Sequence, residues 1–227
     1  MTTTTLLDVW RHTVTATGPD LVLPDGCRDL IVVCVPGSAP TAFVSELHSA
    51  PVLATGFAPG TRLTGYRLAP GTRIETGPLL SRVVHTVEDP GSHLSLIEEH
   101  CSRNAGIIEA FAGIEAAPVT TAADLARRLS LTPRTLQRLF SANRLPAPGF
   151  WLRLARARRA ALGLRGGACL AEIATDAGYA DQAHMTRDFH NWFGATPARL
   201  KSDPYRLSLL AQSGLAVPAT GEQISTR

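Results

Sequence analysis

The sequence predicts an α+β chain: a small β-rich N-terminal domain, then an all-α C-terminal domain of two helix-turn-helix units joined by a long linker helix. Three observations predict it. Short runs of Val, Ile, Leu and Thr between Pro/Gly turns fill the first 80 residues. The apolar period becomes helical from Leu79. One helical device then occurs twice between residues 119 and 203, where basic residues gather.

The bulk numbers set the frame. The chain has 227 residues, 44% of them hydrophobic and 18% charged, an ordinary globular composition with length for one or two domains. No apolar run approaches the roughly 20 residues of a membrane span. Met1 to Leu7 is threonine-rich and lacks the basic start and apolar core of a signal peptide. A soluble, cytoplasmic protein is expected. Cys27, Cys34, Cys101 and Cys169 include no Cys-x-x-Cys spacing, so they read as small apolar thiols rather than a disulfide framework or zinc site.

Charge divides the chain more sharply than composition does. Residues 1–118 carry a net −5, residues 119–203 a net +7 and residues 204–227 a net +1. Twelve of the 13 basic residues in the middle block are arginine. A basic segment joined to an acidic one suits a polyanion at one end only; solvated arginine-rich helix faces are the plainer alternative.

In the first 80 residues, Leu21–Leu23, Asp29–Val35, Thr41–Glu46 and Arg62–Leu68 read as strands. Pro24-Asp25-Gly26, Val35-Pro36-Gly37, Pro59-Gly60 and Pro70-Gly71 read as the turns between them. Farther on, Leu94, Ile97 and Cys101 form one helical stripe, and Ile107, Ile108, Phe111 and Ile114 a second. These helices join the halves, form a dimer contact or pack on the sheet. Ala116-Ala117-Pro118 is the expected boundary. The organisation is therefore 1–80 as a β-rich sensor or dimerisation domain, 81–118 as a helical connector, 119–203 as the two-unit domain and 204–227 as a partly mobile tail.

The repeated device is a short helix, a tight turn, and a second helix with an apolar back and a polar front. In the first copy Thr121 caps a helix with Asp124 at capping-box spacing, and Leu125, Ala126 and Leu129 face inward. After the turn at Ser130-Leu131, Thr132 caps the next helix and Pro133 takes its first position, where a missing N–H costs nothing. Leu136, Leu139 and Phe140 face inward; Arg134, Gln137, Arg138 and Ser141 face out. In the second copy Leu170, Ile173 and Ala174 precede a turn at Ala177-Gly178-Tyr179, and Asp181 caps a helix whose inner stripe is Met185, Phe189 and Trp192. Gln182, Ala183, Thr186, Arg187 and His190 are left outside. Pro148 to Leu164, with Arg153, Arg156, Arg158 and Arg159, spans about four helical turns and would hold the two units at fixed separation. Two recognition helices on one face of B-DNA need a spacing of roughly 34 Å. Arginine and glutamine have the chemistry for it: Arg pairs bidentately with guanine, Gln with adenine.

Residues 119–203 resemble the DNA-binding domain of AraC/XylS-type transcription regulators of bacteria. The second unit carries most of the resemblance, through Leu170-Ala171-Glu172-Ile173-Ala174, Gly178-Tyr179-Ala180-Asp181-Gln182-Ala183-His184-Met185-Thr186-Arg187-Asp188-Phe189 and Phe193-Gly194-Ala195-Thr196-Pro197. The first unit adds Thr132-Pro133-Arg134-Thr135-Leu136-Gln137-Arg138-Leu139-Phe140 and Trp151-Leu152-Arg153. The resemblance implies base contacts from Arg134, Gln137 and Arg138, and from Gln182, Ala183, His184 and Arg187. Thr135 and Thr186 would touch phosphate or only cover the helix surface. Two positions depart from the pattern: Ser130 stands where a turn glycine is common, and Leu145 where glycine often follows the recognition helix. Leu23-Pro24-Asp25-Gly26-Cys27-Arg28-Asp29-Leu30 and Gly65-Tyr66-Arg67-Leu68-Ala69-Pro70-Gly71 resemble a small β domain that precedes this module in poorly characterised regulators.

The expected partner is double-stranded DNA, with a small-molecule effector, RNA polymerase and a second copy of the chain as further candidates and no membrane. Arg28, Asp29, Tyr66 and Arg67 are the polar candidates for an effector site. Against that reading, Asp25-Gly26 makes a hairpin turn and Arg28 and Asp29 form a surface ion pair. No cofactor or metal is expected: His93 and His100 could share a helix face, but surface or capping roles are commoner for such histidines. Without a Gly-x-Ser-x-Gly, a phosphate-binding Gly-x-x-x-x-Gly-Lys or a His-Glu-x-x-His pattern, no enzyme is expected either. The alternative function is a protein-interaction adaptor, or a metal- or small-molecule-binding protein, that uses the helical domain without specific DNA readout.

Overall fold

The computed structural model describes residues 5–54, 56–86, 89–116 and 119–217. The N-terminal part contains strands β1 (Leu6–Thr13), β2 (Asp20–Val22), β3 (Arg28–Cys34), β4 (Thr41–Val44), β5 (Val52–Ala54), β6 (Arg62–Leu68) and β7 (Arg73–Ile74). Helices α1 (Thr76–Val83) and α2 (Pro90–His100), the short strand β8 (Cys101–Ser102) and helix α3 (Ala105–Glu115) follow. The expected strands overlap β2, β3, β4 and β6. β1 and β5 come without a sequence signal: β1 is an edge strand whose residues are mostly half-buried on both faces, which blurs the alternation.

β1, β6, β3 and β4 form one antiparallel sheet in that order. Strand alternation gives it two different faces. Leu30, Val32, Tyr66 and Leu68 point to one side, where Leu79 and Val83 of α1 and Leu96 and Ile97 of α2 cover them. Asp29, Val33, Leu63 and Arg67 belong to the other side. Pro24-Asp25-Gly26 does not close a hairpin to β3, because β2 pairs with β5. Gly26 does take φ +80°, and a Cβ there would meet the Leu215 Cβ at 2.8 Å.

The two helical stripes have different destinations. Of the expected stripe on α2, Ile97 and Cys101 are buried, whereas Leu94 is 42% exposed and His93 takes its place on the covered face with Leu96. On α3, Ile107, Phe111 and Ile114 are buried, not against the sheet but in the core of the C-terminal helices. Phe111 meets Trp151 edge-on at 4.8 Å.

That second core is built by α4 (Ala122–Arg128), α5 (Pro133–Ala142), α6 (Pro148–Gly163), α7 (Leu170–Asp176), α8 (Gln182–Phe193), α9 (Pro197–Lys201) and α10 (Pro204–Leu210). α6 runs through its middle, burying Trp151, Leu154, Ala155, Ala157, Ala160 and Ala161. Ala117 and Pro118 of the expected boundary, and the end of the tail from 218, lie outside the described residues. The described tail, through Val217, contributes Leu210 and Leu215 to the same core.

Two arginines tie the sheet to this core. Arg67 stands opposite Asp29 on β3 and Asp8 on β1. It donates to both carboxylate oxygens of Asp29 at 3.1 and 3.2 Å, lies 3.2 Å from Asp25, and donates to the Ser213 carbonyl at 2.9 Å. Asp8 completes the row by accepting from the Ser213 hydroxyl at 3.0 Å. Burial works against the charge on Arg67, but Asp25 and Asp29 outweigh it and raise its pKa. Arg158 of α6 is fully buried and faces carbonyls instead: Leu215 at 2.9 Å, Gln212 at 2.7 Å and Pro24 at 3.5 Å. One guanidinium thus joins the linker helix, the tail and the loop that leads into β3. Replacing Arg158 with Met keeps the bulk but strands these carbonyls away from water. The expected loss is about 3 kcal/mol of unfolding free energy, read as a lower urea midpoint with an unchanged slope; an unchanged midpoint would show that the cradle is not a structural tie.

Candidate nucleic-acid interface

Each helix-turn-helix unit is set by local chemistry. Thr121 accepts from the Asp124 N–H at 3.1 Å to start α4, and Thr132 accepts from the Thr135 N–H at 3.1 Å to start α5, with Pro133 next to the cap. In the second unit Glu172 reaches back to the Cys169 N–H at 2.8 Å, and Asp181 accepts from the His184 N–H at 2.6 Å to start α8. These caps satisfy N–H groups that a helix cannot pair internally.

The turns are copies of each other. Leu131 N–H donates to the Ala126 carbonyl at 2.8 Å, and Tyr179 N–H to the Ala174 carbonyl at 2.9 Å. The residue before each donor is left-handed: Ser130 at φ +55° and Gly178 at φ +80°. The absent glycine has therefore not changed the turn; serine takes the conformation at a cost. After the second helix of each unit a left-handed residue recurs, Arg144 at φ +57° and Gly194 at φ +67°. In register with the buried positions Leu145 stands opposite Gly194, as the sequence has it, and the left-handed residue of the first unit comes one position earlier, at Arg144.

Each second helix buries one face and exposes the other. Leu136 and Phe140 of α5 are fully buried, as are Met185 and Phe189 of α8. Arg134, Gln137 and Arg138 are exposed on α5, and Gln182, Ala183 and Arg187 on α8. Arg138 and Arg187 hold equivalent places, each two residues from both buried positions of its helix and so on the opposite, outer face. No hydrogen bond or ion pair engages Arg134, Arg138 or Arg187 among the described residues. His184 differs: it is half-buried, its ring edge-on to Tyr179 at 5.1 Å.

The linker arginines, which the sequence offers as one basic set, separate. Arg153 is exposed, whereas Arg156, Arg158 and Arg159 turn inward. Arg159 donates to the Ile114 carbonyl at the end of α3, and burial lowers its pKa. Arg156 pairs with Asp188 at 2.9 Å. The Arg156–Asp188–Tyr179 cluster had no sequence signal, because its members lie on three separate elements.

The N-terminal candidates are divided by the sheet. Asp29 and Arg67 share one face and each other. Tyr66 faces the opposite way, its hydroxyl 2.7 Å from His93 Nδ1. Arg28 donates to the Ser45 carbonyl at 2.9 Å and makes no pair with Asp29. His93, which could have shared a metal with His100, is buried against Tyr66, and burial lowers its pKa; His100 lies beside Glu75 and Glu99. Among the described residues no group of three or more His, Cys, Asp or Glu could hold a metal ion, and no helix is long and apolar enough to cross a membrane.

Residues 125–203 match a family model described as a helix-turn-helix domain. They are a helix-turn-helix domain of the AraC type. An AraC-type domain is a DNA-binding module of transcription regulators. No curated protein matches the chain in sequence. Three solved structures similar to it are a DNA-binding transcriptional dual regulator from Escherichia coli K-12 and two crystal structures of ToxT from Vibrio cholerae. The first is 20% identical over 41% of this chain and 86% of its own, with a TM-score of 0.38. The ToxT structures are 8% identical over 86% and 97%, TM-score 0.43, and 12% identical over 91% and 98%, TM-score 0.42. With every TM-score below 0.5, the assignment to the AraC type rests on the sequence match.

The left-handed serine in the first AraC-type turn yields a direct test. Ser130→Gly removes the Cβ penalty at φ +55°, partly offset by the greater freedom of the unfolded chain. It is expected to stabilise the domain by up to about 1 kcal/mol, seen as a raised urea midpoint; a lowered midpoint would mean that the Ser130 side chain itself supports the turn.

Proposed function

We propose that the protein is a sequence-specific transcription regulator that reads two consecutive major-groove segments on one face of the duplex, α5 entering one and α8 the other. The observation that carries this reading is the pair of equivalent, exposed and unengaged arginines, Arg138 and Arg187, on helices seated by the same caps and turns. Base contacts fall to Arg134, Gln137 and Arg138 in the first unit and to Gln182, Ala183 and Arg187 in the second. His184 sits at the edge of this set, with its ring held by Tyr179. Arg153 is placed to meet phosphate, which fixes register without reading sequence.

The division at about residue 118 is part of the proposal, with the sheet and its helices as the part through which an effector or a second copy acts. Asp29 and Arg67 have all their partners inside the protein. Their work is to join the sheet to the tail rather than to hold an effector. A signal in the N-terminal part has a route to the DNA-binding helices through the Pro24 carbonyl and Arg158.

Capture of genomic fragments by the full chain at several salt concentrations, followed by sequencing, tests the reading. A retained motif of two parts spanning about two helical turns supports it. Retention without a motif, lost as salt rises, means electrostatic binding alone; no retention at low salt favours the adaptor. On the selected site Arg187→Ala and Arg138→Ala should each cost about 1–3 kcal/mol and relax preference at one base pair, in opposite halves of the motif. Equal weakening on every sequence would reassign them to phosphate.

A further inference from the structure

The two units differ in how the second helix is seated. Where α5 turns half-buried Leu139 toward the domain, α8 has Asp188; where the first turn ends in Leu131, the second ends in Tyr179. Both replacements converge on Arg156 of the linker helix. Its Nη2 donates to Asp188 Oδ2 at 2.9 Å, with both side chains only 12% exposed. Its Cζ lies 4.3 Å from the centre of the Tyr179 ring. The same Nη2 is 3.5 Å from His184 Nε2, and the Tyr179 ring packs against His184. A flat guanidinium can pair at its edge and stack on its face at once, which a lysine ammonium cannot do.

We infer that Arg156 is the positioning residue that sets the roll of α8 on the linker helix, and so the face that the second unit offers to DNA. The inference rests on the DNA-reading function proposed above. Asp188 and Arg187 are neighbours about 100° apart around the helix, so an anchor on Asp188 fixes the direction of Arg187. His184 and Asp188 are one turn apart, so Arg156 holds α8 at two levels. Tyr179 adds the turn to the same grip. Burial, with Asp188 next in weight, pushes the Tyr179 hydroxyl pKa up, so the ring stays neutral under the guanidinium. Among the described residues nothing comparable holds α5, whose buried face is apolar. The first half of a two-part site should therefore be read without Arg156, and the second half only with it.

The experiment compares the full chain with Arg156→Lys and with the double variant R156M/D188L, using fragment selection, half-site footprinting and thermal melting. A buried ion pair replaced by apolar residues of similar size often keeps its stability, so the double variant separates holding the fold from aiming the helix. The expected result is a near-native melting temperature, unchanged protection of the first half, and about tenfold or greater loss of affinity confined to the second. Arg156→Lys keeps the charge but loses the planar stack, and is expected to weaken the second half alone by a smaller factor. Native protection of both halves by a folded double variant overturns the inference and leaves the pair a structural tie. Should the double variant not fold, native reading of the second half by Arg156→Lys overturns it equally. Equal loss at both halves overturns it too. If the unaltered chain selects no two-part motif, the functional reading itself fails and takes this inference with it.

Discussion

A cation buried without a carboxylate in hydrogen-bonding reach needs an enclosure of fixed dipoles, and Arg158 has one. Its guanidinium is held by the carbonyls of Pro24, Gln212 and Leu215. Those three come from the loop before β3 and from the described tail, while Arg158 belongs to the helix between the two units. Withdrawing either segment leaves the guanidinium short of acceptors, and an unpaired charge in an apolar interior costs several kcal/mol. Arg67 repeats the logic on the sheet side with Asp25, Asp29 and the Ser213 carbonyl. Burial pushes the Cys27 thiol well above its ordinary range, and nearby Asp25 adds to the effect, so the seam keeps a neutral thiol beside its two cations. The placement of the sheet against the helix-turn-helix core follows from these contacts.

On that frame the two helix-turn-helix units are alike in backbone and unlike in anchorage. Both have a side-chain cap, a left-handed turn residue and the same pair of fully buried positions, Leu136 and Phe140 or Met185 and Phe189, on the second helix. They differ in what lies beneath: apolar contact under α5, and apolar contact with an added ion pair and aromatic platform under α8. Apolar contact tolerates small rotations, since dispersion has no direction, whereas a bonded guanidinium does not. The turn of the second unit also meets the chain entering the first, for a Cβ at Gly178 would come 3.0 Å from Thr120 Cγ2. The units therefore touch at this turn as well as being strung on one helix.

The sequence showed the units clearly because their determinants are local. Thr132-Pro133, Asp181 and Gly178 act within a few residues of themselves, and the inward stripes repeat at helical spacing. Ser130 could be read as irregular only because a serine does not advertise a positive φ; the hydrogen bond across the turn does. The N-terminal candidates were harder. Asp29, Tyr66 and Arg67 were recognisable as polar residues in apolar runs, but their partners depend on register, which places Asp29 opposite Arg67 and sends Tyr66 to the other face. The linker arginines gave the least warning. Arg153, Arg156, Arg158 and Arg159 share one helix and one chemistry, yet only Arg153 faces water. The interleaved alanines are the signal that this helix is closely surrounded, and an arginine among them must find its acceptors indoors.

The cradle around Arg158 also has a consequence in time. Chains are made from the N-terminus at about 5–20 residues per second, and Gln212, Ser213 and Leu215 follow every described helix and strand in the order of synthesis. The sheet, the linker helix and both units can form while Arg158 and Arg67 still lack their last acceptors. Until those carbonyls arrive, water must solvate both cations, and the seam between the two parts stays open. The interface is thus completed last, by a stretch of backbone that adds no strand to the main sheet yet closes the seam between it and the helical core.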